Sequence, residues 1–323
     1  MNVSEQSRLY YGWVIAFTAM LVLLVSNGMS LAGPTVFDEL IIQGLSAGRA
    51  LAELNVRFGT DFTRDDLLAL LPDSNMRISP GLAQALLESV GRDVPVGEVE
   101  SIVSQSSISV AGLKLRDMIT LFTSGAVAFL AGALADRLGP RRLILAGLVL
   151  LAVAYWYYGR VTTLWDIYLV HALLGVVMSL AGLLVNVILV ARWFIRSRGT
   201  AIGIALAGTS LGNAFFPPLN GWLLQFGSWR DVFGWVAIVP LCLLPVVFFL
   251  LRDRPSGISA DISSRNATAA STQGQTLGEA LRSRNFWMLA LLAMLTFYSI
   301  LGMGTHTFLF MREEGYSLMV AST

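Results

Sequence analysis

Gly132-Ala-Leu-Ala-Asp136-Arg137-Leu-Gly139-Pro140-Arg141-Arg142 packs a small-residue helix end, one acid and three arginines into eleven positions, between the apolar runs 118–135 and 143–159. Gly139-Pro140 reads as a tight turn. Apolar runs of nearly 20 residues cross a bilayer as helices, because no backbone polar group can stay unpaired in hydrocarbon. The stretch is therefore a turn at a membrane surface. At its plainest it is an ordinary arginine-bearing loop, and which surface it occupies orders everything around it.

Working outward, seven stretches qualify as spans: 12–32, 118–135, 143–159, 166–191, 200–224, 232–251 and 286–305. Composition agrees. Of 323 residues 13% are charged and 55% hydrophobic, with a mean hydropathy of +0.68, whereas a soluble domain carries roughly 25% charged residues. A net charge of +1 gives no field for nucleic acid. The single cysteine, Cys242, excludes an internal disulfide, and no spacing suits a metal. No cofactor is expected. There is no clustered His/Cys/Asp set, no Ser-His-acid trio and no phosphate-binding glycine loop, so an enzyme is disfavoured; the acid pair Asp65-Asp66 reads as a solvated helix face. The first apolar run lacks a small-residue cleavage site and reads as an uncleaved helix.

Arginines orient the chain. With the N-terminus in the cytoplasm, the inner segments carry Arg8, Arg137, Arg141, Arg142, Arg192, Arg196, Arg198, Arg252, Arg254, Arg265, Arg282 and Arg284, against Arg160, Arg230 and Arg312 in the short outer loops. The expected setting is a cell inner membrane crossed several times. Residues 1–33 form the cytoplasmic N-terminus and first helix. Residues 34–115 form a periplasmic helical insert, with amphipathic patterns at 64–71, 80–90 and 97–103; its ends are faintly alike, at 48–57 and 110–116. Residues 116–251 carry helices two to six, 252–285 form a polar cytoplasmic linker, and 286–323 carry helix seven and the start of a second bundle. The fold class is all-α: a six-helix transporter bundle plus one helix. Such a chain is expected to be a fragment of a protein of about twelve helices, or to pair with another chain that supplies the missing ones.

The pattern Gly132-x-Leu-Ala-Asp136-Arg137-x-Gly139-x-Arg141-Arg142 resembles the signature loop between helices two and three of the major facilitator superfamily. A second stretch, Arg192-Trp193-Phe194-Ile-Arg196-Ser-Arg198-Gly199-Thr-Ala-Ile-Gly203-Ile-Ala-Leu-Ala207-Gly208-Thr-Ser-Leu-Gly212, is similar to the helix four–five signature of monocarboxylate-transporter-like members, including oxalate/formate-antiporter-type proteins. Tyr11-Gly12-Trp13-Val14 and Gly227-Ser-Trp229-Arg230 resemble the same branch. The resemblance covers about 1–40 and 112–323. It implies two six-helix halves rocking around a midplane site, with the Asp136 loop as a gating latch. The antiporter pattern has proline directly after the second glycine, where this chain has Asn213. The family's anion-binding arginine and its acidic partner belong to helix eight, barely begun here.

The residues add their own argument. Gly132 and Ala135 permit close helix approach, as do Gly199, Gly203 and Ala207, spaced four apart, and Gly208 with Gly212. Pro217-Pro218 should kink or end the fifth helix. Polar groups inside a membrane are functional candidates: Asn213 and Tyr298 near mid-membrane, His171 toward the outer end of helix four, and His306 at the outer end of helix seven. Interhelical hydrogen bonding is the competing role for each, and is the reading of Asn27 and Asn186. No acid or base is expected in the middle of a helix. The leading reading is a secondary transporter of small organic anions in a lipid bilayer, working by symport with a proton or by antiport; the other is a membrane sensor working through the 33–115 segment.

Overall fold

The computed structural model describes residues 3–58, 96–194, 197–253 and 277–314, and every regular element among them is a helix. In chain order these are α1 (Val3–Asn27), a π turn (Gly28–Ala32), a 3-10 turn (Gly33–Phe37), α2 (Asp38–Phe58), α3 (Val96–Ser106), α4 (Val110–Leu138) and α5 (Pro140–Tyr158). Then come α6 (Leu164–Ala181), α7 (Leu183–Trp193), α8 (Arg198–Leu223), α9 (Trp229–Val236), α10 (Ile238–Leu250), α11 (Leu277–Arg282) and α12 (Arg284–Glu313). The patterns expected at 64–71 and 80–90, and linker residues 254–276, lie outside the described residues.

Six helical runs among the described residues are long and apolar enough to cross a membrane: Tyr11–Arg57, Ser101–Leu138, Pro140–Tyr158, Leu164–Trp193, Arg198–Leu223 and Trp229–Leu250. The chain is a multi-pass membrane protein. The seventh expected span lies within the 30-residue α12.

Two expectations about these spans are corrected. The first span does not stop at Pro34. The proline sits in the first turn of the 3-10 turn, where its missing N–H costs little, and the chain stays helical into α2. Tyr11–Arg57 is 47 residues, about 70 Å at 1.5 Å per residue, against roughly 30 Å of hydrocarbon. Ser101–Leu138 is likewise 38 residues long. The described parts of the insert thus continue the first two spans as a helical arm. In it α2 packs on α3, with Leu54, Ile102 and Val103 buried. Ile108 N–H donates to Ser46 Oγ at 2.9 Å, and Arg57 meets Glu98 at 3.6 Å.

The second concerns the prolines: of the two effects expected, a kink or an end, the end does not occur. α8 runs through Pro217 and Pro218 to Leu223, because inside a packed bundle neighbouring groups absorb what proline disrupts. The two rings still remove the N–H groups that would bond the carbonyls of Asn213 and Ala214.

The fourth span is two helices, α6 and α7, separated at Gly182. Side chains bond the carbonyls at the break. Asn186 Nδ2 donates to Ala181 O at 2.8 Å and Gly182 O at 2.9 Å, and Ser26 Oγ donates to Ala181 O at 3.0 Å. α6 and α9 each open with a capping box, Thr163 with Asp166 and Ser228 with Asp231. Residues 11–251 form one compact unit, in which α6 packs on α4 and α5, α5 on α10, and α8 on the π turn of the first span. Its core includes Leu148, Leu151, Tyr155, Val170, Leu174, Val177 and Phe233. The other unit holds α11 and α12, where Trp287 Nε1 donates to Leu281 O at 2.8 Å.

Candidate functional site

The turn that decided the reading is built as expected. Gly139 ends α4 and precedes α5 with φ 87° and ψ 146°, a conformation restricted to glycine, and Pro140 opens α5. Asp136 and Arg192, drawn from the two signature stretches, meet: Arg192 Nη2 lies 3.1 Å from Asp136 Oδ1 and also donates to Ala135 O at 3.3 Å. The pair is lopsided, with the Asp136 side chain 78% exposed and Arg192 21%. Arg141 reaches the end of α10. Its guanidinium donates to Phe248 O and lies 4.8 Å over the Phe248 ring, which caps the end of α10. Arg137 and Arg142 are exposed, as is Arg198 at the start of α8. Arg196 lies outside the described residues.

Aromatics close the same end. Tyr11 packs on Trp193 at 5.3 Å between ring centroids and donates to Leu250 O at 2.9 Å. Trp13 meets Phe194 edge-on at 5.1 Å. The Tyr11-Gly12-Trp13 motif therefore seats directly on Trp193-Phe194.

The glycine pattern divides into two faces. A Cβ on Gly208 would lie 2.1 Å from Met20 O, and one on Gly212 2.2 Å from Leu24 O, so α8 touches α1 backbone to backbone. Gly199 and Gly203 have nothing within 4 Å and share an exposed face with Ala207, Ser210, Asn213 and Ala214. The expectation that Gly199, Gly203 and Ala207 bring helices together is corrected for the described residues: spacing of four marks a small-residue face without saying whether a neighbour covers it. Gly132 is corrected similarly: among the described residues a Cβ there would meet Leu184 at no less than 4.0 Å; Ala135, three residues on, is fully buried.

Of the polar candidates, Asn213 lies on that open face, with the two carbonyls freed by the prolines beside it. Asn27 Nδ2 donates to Thr209 Oγ1 at 3.0 Å, tying α1 to the covered side of α8. Tyr298 stands exposed on α12, and the His306 side chain lies outside the described residues.

His171 belongs to a cluster that the sequence reading missed. Arg116, the seventh residue of α4, is fully buried although it falls outside the 118–135 run read as the span. Its Nη2 pairs with Asp38 Oδ1 and its Nη1 donates to Tyr158 OH at 3.1 Å. Tyr158 OH lies 3.1 Å from His171 Nε2, and His171 Nδ1 lies 2.8 Å from Thr120 Oγ1. Lys114 holds the other Asp38 oxygen at 2.7 Å, and Asp117 lies 3.5 Å from Arg116 Nε. One neutral tautomer satisfies the chain: Tyr158 accepts from Arg116 and donates to Nε2, while His171 Nδ1–H donates to Thr120. A signal was present. Asp38, Lys114, Arg116 and Asp117 flank two apolar runs, and they fell to solvent only because the runs were cut at Ala32 and Met118.

Six helical passes among the described residues, a signature turn held by a glycine-only conformation and a second signature pinned to it by Asp136–Arg192 define a class of multi-pass membrane proteins. The sequence profile of the Major Facilitator Superfamily matches residues 71–323, and the chain belongs to that superfamily, one of membrane transporters and not of enzymes. It is similar to riboflavin transporter RibJ of Trypanosoma brucei brucei, 29% identical over 181 residues, which are 55% of this chain and 32% of that protein. It is similar to monocarboxylate transporter 13 of Bos taurus, 30% identical over 129 residues, 40% of this chain and 30% of that one. A third relative is the oxalate:formate antiporter of Oxalobacter formigenes, 24% identical over 159 residues, 49% of this chain and 36% of that protein. The chain thus aligns with about a third of the length of each of these relatives.

Proposed function

We propose that this chain is the first half, with the opening helix of the second, of a secondary transporter moving small organic anions across a cell inner membrane by alternating access, its N-terminus cytoplasmic. The observation that carries the reading is the division of α8: one face locked to α1, the other lined with small residues and offering Asn213 with the carbonyls of Asn213 and Ala214. Such a face suits a polar solute path and a moving partner. Anion chemistry is supported by relatives whose names specify monocarboxylates and oxalate with formate; riboflavin in another relative's name is the competing cargo. Uptake of labelled monocarboxylates and dicarboxylates, with and without a pH gradient, tests this in the full-length protein. Carboxylate uptake is expected, and riboflavin uptake alone overturns it. Tyr298, His171 and His306 remain candidates for the path, each to be weighed by substitution in the same assay.

Asp136 is proposed as a latch with Arg192 at the cytoplasmic face. Exposed pairs contribute at most about 1 kcal/mol, so Asp136→Asn is expected to change the transport rate by about fivefold with little change in half-saturation. An unchanged rate counts against the latch. The helical arm favours a second reading, a sensor that engages a ligand outside the membrane; ligand binding by the intact protein with no uptake of any solute would select it.

A further inference from the structure

We propose that the arm formed by α2 and α3 is locked to the membrane bundle as one rigid body, by the buried cluster at its base. This goes beyond the transport reading and does not depend on what is carried.

Three observations support it. The first is continuity: the chain remains helical from Tyr11 to Arg57, so no loop separates α2 from the first span, and on the return only residues 107–109 lie between α3 and α4, with Ile108 N–H bonded to Ser46 Oγ of α2. The second is where the cluster lies. Asp38 is the first residue of α2, Arg116 stands seven residues inside a return helix that begins at Val110, and Tyr158 and His171 belong to the third and fourth spans. Asp38–Arg116–Tyr158–His171–Thr120 therefore stitches the arm's base to the second, third and fourth spans through one line of hydrogen bonds. The third is the chemistry of the cluster. Two cations, Lys114 and Arg116, face two anions, Asp38 and Asp117. A fully buried guanidinium is costly to place and tolerates few alternative geometries for its partners, so the pair specifies a register more than it adds stability. Apolar packing alone would let α2 slide on α4; a fully buried guanidinium shared between a carboxylate and a phenol does not.

The arm then follows every rotation of the bundle, and a load placed on it is felt by the spans. The test is double electron–electron resonance on the full-length protein with its own cysteines removed. Labels go at Arg49→Cys on the arm and Trp165→Cys at the start of α6, both exposed sites outside the cluster. One narrow distance distribution is expected, its width at least doubling in the Asp38→Asn/Arg116→Met variant. A broad distribution in the unaltered arm, or an equally narrow one after both charges are removed, overturns the proposal. Hydrogen exchange on the unaltered protein needs no cluster variant. The 38–46 amides are expected to exchange as slowly as those of 113–120, and loss of protection on one side alone overturns the rigid join.

Discussion

Alanine at Gly208 or Gly212 is expected to remove most folded, active protein. A Cβ at either site would sit 2.1 or 2.2 Å from a backbone carbonyl of α1, Met20 O or Leu24 O. A clash with a flexible side chain is relieved by a rotamer change; here the obstacle is a helix backbone, and the two helices must part along their whole contact. Gly28 faces Gly212 from the opposite side, its own Cβ position 2.7 Å from the Gly212 backbone, so there is no slack to recover. Overpacking of this kind costs about 1–3 kcal/mol at ordinary core sites, and a backbone-to-backbone site belongs at the upper end. The loss of Asn27–Thr209 adds to it. Gly203→Ala on the open face of the same helix is the control, expected within about 0.5 kcal/mol of the unaltered protein. Thermal unfolding in detergent, together with uptake, separates the two. Equal effects at Gly203 and Gly208 would sink the assignment of faces.

The second large effect is an asymmetry in the buried cluster. Asp38→Asn should cost more than Arg116→Met. Without Arg116, Asp38 retains Lys114 at 2.7 Å and is partly exposed. Without Asp38, the fully buried Arg116 is left with Asp117, a half-exposed carboxylate 3.5 Å from its Nε. Stranding a buried charge costs about 3–5 kcal/mol, so Asp38→Asn is expected to lower the unfolding temperature sharply. Adding Arg116→Met should return part of the loss, because the stranded charge goes with it. A double variant as unstable as Asp38→Asn alone would mean that the pair is not the unit described here.

Much of the architecture could be read from residues alone, for physical reasons. Spans are legible because hydrocarbon demands long apolar helices, and the turn at Gly139-Pro140 because few residue pairs make it. The meeting of Asp136 with Arg192 follows from placing two arginine-bearing motifs at neighbouring helix ends. What failed was the treatment of boundaries. Gly33-Pro34 looks like a stop, yet proline is harmless in a first turn, so the first helix runs on and carries Asp38 to Arg116. Once the spans had been cut short, a charge beyond the cut appeared solvated, and the cluster vanished with it. Small-residue spacing failed differently. Gly199/Gly203 and Gly208/Gly212 have the same period, and only the position of α1 tells the covered pair from the open one.

The contact between Arg57 and Glu98, at 3.6 Å, brings together the two strands of chain that leave and re-enter the arm. Whatever length of polypeptide lies between them begins and ends at one place. Closing such an excursion is cheap: doubling it costs only about 0.6 kcal/mol. The far end of the arm is therefore a graft point, where a fluorescent reporter or an affinity domain can be spliced in while the membrane helices keep their register.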